Sequence, residues 1–190
     1  MADILEGRWT AKIDGDFVVF LIGARVGNPF RARRAIPLLG QMRKMLADLE
    51  KDQGTSARDR GFLGYQNHGI GPIGVIVQYW RSFDDLERFA RDPGDRHAQV
   101  WRNWFKAAQH KNPAAGIWHE TFAVPAGRYE AIYQNMPAIG LLKAGRPERV
   151  GGRRDTARER LGEDEHPETA PVPVPRSDHE ASAETVTATD

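Results

Sequence analysis

The sequence predicts an α+β domain: a ferredoxin-like β-α-β-β-α-β sheet that forms a dimeric α/β barrel, followed by a disordered C-terminal tail. Three observations predict it. Strand and helix periodicities alternate in that order, the strands are apolar on both faces, and aromatic residues stop at Tyr133.

DFVVFLIGARV (16–26) is a β-branched and aromatic run with turn chemistry on either side, hence the first strand. Pro37 suits the first turn of a helix, and Leu38, Leu39, Met42, Met45, Leu46 and Leu49 recur at helical spacing on one face. Gly40 weakens that helix by ~1 kcal/mol. GFLGYQ (61–66) and GVIVQYW (74–80) are strands around the turn-rich NHGIGPI. Ser82 caps the next helix, with Asp85 in the place of a capping-box Glu or Gln. That helix breaks at Asp92-Pro93-Gly94, and a further one is predicted over 96–110. GIWHETFAV (116–124) is the fourth strand, and RYEAIY (128–133) a short fifth.

A sheet covered on one side alternates apolar and polar residues. The first strand does not. Phe17, Val19 and Leu21 fall on one face, and Val18, Phe20 and Ile22 on the other. Two helices cover one face. The same sheet of a second copy, packed about a two-fold axis, is the predicted cover of the other, with a cavity between the two sheets.

The folded domain is expected over residues 1–144 and the tail over 145–190, where Arg, Glu, Pro, Ser, Thr and Ala dominate. Such a composition buries too little apolar area to offset its ordering entropy, although a frayed helix is expected near 155–161. His166 and His179 belong to the tail as solvated residues. The net charge of +1 gives no reason to expect nucleic acid or a membrane as partner. With no cysteine, thiolate catalysis, disulfides and cysteine metal sites are excluded. The first residues lack the basic start and apolar core of a secretory signal, so a cytoplasmic location is expected.

Two motifs fail on their context. Gly69, Gly71 and Gly74 fit G-x-G-x-x-G, but they precede a strand, where a dinucleotide site needs a helix N-terminus; a hairpin is the expected result. His119-Glu120 begins H-E-x-x-H, but the closing position is Ala123 and the segment is a strand. Adjacent strand residues point to opposite faces, so His119 and Glu120 do not share a pocket. Trp118 and Phe122 make the more apolar face and are expected against the helices, leaving Ile117, His119 and Thr121 for the cavity between the sheets. His97 joins Trp101, Trp104, Phe105 and Ala108 in a helical stripe, as a packing histidine, a ligand or a general base. Arg31, Arg33 and Arg34 precede the first helix, as solvated residues or a gate for an acidic substrate.

The segment VQYWRSFDDLERFARDPGDRHAQVWRNWF resembles a passage of the small antibiotic-biosynthesis-type monooxygenases. Together FVVFLIGARV, GFLGYQ, VQYWRSFDDLERFARD and GIWHETFAVPAGRYEAIYQNMP resemble more closely a bacterial and fungal family grouped with a fumagillin-pathway monooxygenase, over roughly residues 5–143. The resemblance implies a dimeric α/β barrel and one of two chemistries. In the first, no cofactor is bound: an electron-rich substrate is deprotonated and its carbanion reduces oxygen directly. In the second, haem is held by an axial histidine, for which His97, His110 and His119 are in plausible positions. The haem degraders of the superfamily carry an asparagine on the first strand, and nothing in DFVVFLIGARV corresponds to it.

The expectation is a homodimeric, cofactor-independent monooxygenase acting on a small hydrophobic or aromatic secondary metabolite. His119 and Tyr129 are the catalytic candidates; Trp80, Trp118, Tyr79 and His97 are the substrate-binding candidates. The alternatives are a haem-dependent oxidase or aldoxime-dehydratase-like enzyme, and a non-catalytic barrel that binds a small ligand.

Overall fold

A computed structural model of the chain describes residues 3–26, 36–55, 59–69, 73–92, 115–151 and 156–162. The helix expected over 96–110, with His97 and His110, lies outside them, as do Arg31, Arg33 and Arg34.

Four strands rich in β-branched or aromatic residues form one antiparallel sheet: β2 (Phe17–Val26), β3 (Phe62–His68), β4 (Ile73–Trp80) and β5 (Ala115–Val124). Its strand order is β3-β4-β2-β5. With α1 (Ile36–Asp52) after β2 and α2 (Phe83–Arg91) after β4, this is the predicted ferredoxin-like arrangement. The glycine motif connects two paired strands, as a hairpin requires.

Register assigns the faces. Val18 pairs with Trp80 and Ala123, Phe20 with Gln78 and Thr121, and Ile22 with Ile76 and His119. Val18, Ile22, Phe62 and Trp80 pack with Met42, Met45, Leu46 and Leu49 of α1 and Leu86 and Phe89 of α2 in one core. These rows therefore form the helix-facing side of the sheet. Trp80 is wholly buried, edge-on to Phe62 and tilted against Phe89 with ring centroids about 5 Å apart. A side chain of this size contributes more than 2 kcal/mol through burial, on the order of an aromatic core residue.

Ser82 caps α2 as expected: its hydroxyl accepts from the Asp85 N–H at 3.1 Å and donates to the Asp85 carboxylate at 2.9 Å. The shorter Asp85 side chain meets the cap hydroxyl, where a Glu would reach the cap backbone. Arg88 and Arg81 also bond this carboxylate, at 2.8 and 3.3 Å.

A second sheet completes the fold. It has the order β6-β1-β7, with β1 (Ile4–Lys12) central, β6 (Tyr133–Pro137) on one side and β7 (Arg146–Arg149) on the other. The short fifth strand expected over 128–133 thus begins only at Tyr133, where pairing with Trp9 starts. Gly7 and Asn135, both at positive φ, bracket a bulge in β1, and the Gly7 N–H donates to the Asn135 side chain at 2.8 Å. The short helix α3 (Gly140–Ala144) lies between the sheets, against Gly64 of β3.

Ordered structure continues past the compositional boundary at residue 145. β7 pairs with Trp9–Lys12, and Arg149 stacks its guanidinium over the Trp9 ring at 4.7 Å. The helix expected near 155–161 is the single turn α4 (Ala157–Arg160), closed by a Thr156–Glu159 capping box. Arg160 docks it, donating to Glu130 at 2.6–2.8 Å with its side chain 7% exposed. Among the described residues, no helix is long and apolar enough to cross a membrane.

Candidate functional site

The expected orientation of β5 is reversed. His119 sits opposite Ile22, a core residue on the helix-facing side, so His119, Ile117 and Thr121 face the helices. Trp118, Glu120 and Phe122 face the other way, opposite Gly23, Leu21 and Val19. The physical reason is that both faces of this sheet are apolar. The more apolar face of one strand therefore carries no information about where the helices lie.

His119 lines a cavity of about 230 Å³ between the sheet and the helix layer. Its floor is Phe20, Ile22, Gln78 and Thr121; α1 contributes Met42 and Met45, and α2 contributes Phe83, Leu86, Phe89 and Ala90. The histidine ring lies 5.6 Å from the Phe20 ring. Among the described residues, Glu87 and Arg91, ion-paired at 2.7 Å, are the charged residues on the wall. Methionines suit such a wall, since an unbranched thioether adapts to ligands of different shape. One imidazole and a few neutral polar groups in an apolar cavity can move a proton and orient a small molecule.

The remaining candidates among the described residues do not gather here. Trp80 belongs to the core beside this cavity, with its indole N–H donating to Gln78 at 3.0 Å. Tyr129 stacks edge-on against Phe17 at 5.1 Å, and its hydroxyl accepts from the Ile13 N–H at 2.6 Å. It lines a second, more polar cavity of about 380 Å³, between the end of β1 and the α4 turn. Tyr129 therefore anchors the β1–β2 corner, apart from His119.

Tyr79 is buried on the face of the sheet away from α1 and α2, beneath α3. Its hydroxyl, that of Tyr133 and the Gln66 amide oxygen crowd the position where a Cβ on Gly140 would sit. Burial, and then the neighbouring Tyr133, pushes the Tyr79 phenol up to about 12. Burial also raises Tyr133, opposed in part by hydrogen bonds from the Leu142 and Leu141 N–H groups. Trp118 is on this same face, 37% exposed, with Phe122 at 50%. Among the described residues, no group of three or more His, Cys, Asp or Glu is placed to hold a metal ion.

Sequence reasoning passed over Gln78, while Thr121 was placed on the face of His119. The signal for Gln78 is in the text: one amide inside the apolar run GVIVQYW, two residues from Trp80 and hence on its face.

The profile of the monooxygenase af470-like family matches residues 17–141. Monooxygenase af470 of Aspergillus fumigatus is 28% identical over 180 residues, 85% of this chain and 62% of that protein. The chain thus spans less than two thirds of this curated relative. Among solved structures, an aldoxime dehydratase (OxdRE) in complex with butyraldoxime superposes with a TM-score of 0.55 at 17% identity, over 82% of this chain and 43% of that one. At this identity the likeness establishes a shared fold.

Proposed function

This chain belongs to the monooxygenase af470-like family, and from that premise we propose that it is a cofactor-independent monooxygenase for a small hydrophobic or aromatic substrate, with His119 as general base. The observation that carries the reading is the placement of His119 on the wall of a largely apolar cavity.

The imidazole takes a proton from an activated C–H of the substrate, such as a methylene beside a carbonyl or in an electron-rich ring. The carbanion gives its electrons to oxygen, and the C–O bond forms as a peroxide that takes up the proton. Loss of water turns the methylene into a carbonyl. One oxygen atom is in the product and one in water, and the substrate supplies all the electrons. The apolar walls offer the substrate a surface to pack on, and the Phe20 ring flanks the imidazole at 5.6 Å.

The haem alternative fits less well. His119 is an axial ligand by type, but about 230 Å³ is below even the roughly 300 Å³ at the lower end of pockets for drug-sized ligands. A macrocycle is larger than the space that the described walls outline.

A homodimer belongs to the proposal. Trp118 and Phe122, with Val19, Leu21, Val75 and Val77 on the same face, form an apolar surface that a second copy would cover. Light scattering should give twice the 21.3 kDa chain mass, and a monomer at micromolar concentration contradicts the dimer.

The reaction is tested by oxygen uptake with a panel of small hydroxylated and 1,3-dicarbonyl aromatics, without added flavin, nicotinamide or metal. One oxygen consumed per product, with one labelled atom from ¹⁸O₂ retained, is expected. A Soret band in the purified protein, or uptake only with an added reductant, overturns the cofactor-free reading. Tight binding without turnover across the panel leaves a ligand-binding barrel.

A further inference from the structure

We infer that Gln78 is a ligand-recognition residue of the His119 cavity, whose side-chain N–H donates to an acceptor oxygen, a carbonyl or a phenolate, on the bound molecule.

Gln78 is 2% exposed, in the middle of β4, and lines the cavity floor in the row that runs from Thr121 through Phe20 to Gln78. Its hydrogen bond to the Trp80 indole at 3.0 Å is the side-chain contact it makes among the described residues. An indole N–H only donates, so the amide group facing Trp80 is the oxygen, and the orientation of the Gln78 side chain is fixed by chemistry. The NH₂ group is left with no acceptor among the described residues. A buried donor without a partner costs about 1–3 kcal/mol, so such groups are rare unless something else satisfies them. Tyr65, its cross-strand neighbour on β3, and Phe20 on β2 hold it from either side. The donor is therefore held in place before any ligand arrives.

The spacing fits a small molecule. Gln78 and Thr121 share a row two strands apart, about 10 Å across the sheet, and His119 is two residues along β5 from Thr121. A ring of one or two cycles placed over Phe20 would present an oxygen to Gln78 and a neighbouring C–H toward His119. This deepens the proposed reaction: the amide holds the oxygen on which the carbanion's charge is delocalised, as an enolate or phenolate. The substrate class becomes a compact apolar molecule with one such oxygen beside its acidic C–H.

Two probes of nearly the same shape decide it, acetophenone, which carries the acceptor, and ethylbenzene, which does not. Their dissociation constants can be followed by the NMR shifts of the Met42 and Met45 methyl groups, which lie on the cavity wall. Wild-type protein should bind acetophenone about five- to tenfold more tightly, the worth of one buried hydrogen bond. Gln78→Met should erase that preference and leave ethylbenzene affinity unchanged. Equal affinity of the two probes for the wild type overturns the inference while leaving the cavity as a ligand site. A preference that survives in Gln78→Met overturns it as well. If neither probe perturbs these methyl groups, the inference and the proposed site fall together. The comparison on wild-type protein is decisive even where the variant does not fold.

Discussion

The indole of Trp118 packs directly onto Gly23, its partner across β2 and β5, so that a Cβ at residue 23 would overlap the ring. A large residue fills the space that a glycine leaves on the face turned away from α1 and α2. Gly23→Ala should therefore push Trp118 off the sheet and destabilise the fold by about 1–3 kcal/mol, as overpacking does. In a Trp118→Ala background the same change should cost much less. Equal penalties in the two backgrounds would show that the contact does not set the strand face.

Alkaline pH provides a second test. The Tyr79 phenol titrates at about 12 in the folded chain and near 10 in the unfolded one. A raised folded value means that the stability is fully present below pH 10 and is lost as pH rises through 12. Two units correspond to an effect on the order of 2 kcal/mol. Tyr79→Phe should flatten the alkaline limb of the stability curve; an unchanged limb would mean that this phenol is not insulated.

Acid should act at Asp59. A hydrogen bond from the Gly61 N–H and the Arg81 guanidinium hold its carboxyl below the usual 3.8, against a smaller opposing effect of burial. Its contribution is present above that value and is lost as pH falls below it. Asp59→Asn should weaken the dependence of stability on pH below about 4; chemical denaturation across that range measures it, and an unaltered slope would contradict the assignment.

The C-terminal boundary is testable by truncation. A chain ended at residue 162 keeps β7 and the Arg160–Glu130 pair, and should melt within a few degrees of the full chain. One ended at residue 144 loses both and exposes an edge of β1, which should lower the melting temperature by about 5–15 °C. Equal melting temperatures would make β7 and α4 dispensable.

The main sheet and its helices are legible because β2, β4 and β5 are long β-branched or aromatic runs, while Ser82 and Asp92-Pro93 mark both ends of α2. β1 is not, because Glu6-Gly7-Arg8 interrupts its alternation where the bulge sits. Nor is β7, since RPER has little strand propensity and is extended through its pairing with β1. At the site, His119 stands out by residue type, but its direction depends on register. Only the Gly23–Trp118 complement and the Ile22–His119 pair settle it, and both are cross-strand facts. Tyr129 was legible as an aromatic and not as the anchor of Ile13, which lies 116 residues earlier.

The central claim is that His119 moves a proton in the cavity between sheet and helices. The direct measurement compares His119→Gln with wild type for melting temperature and for the rate of oxygen uptake with a substrate from the panel. The account predicts a rate lower by about 10²–10⁴-fold with the melting temperature within a few degrees. A variant that loses stability while its folded fraction keeps the wild-type rate would make His119 a packing residue and contradict the account.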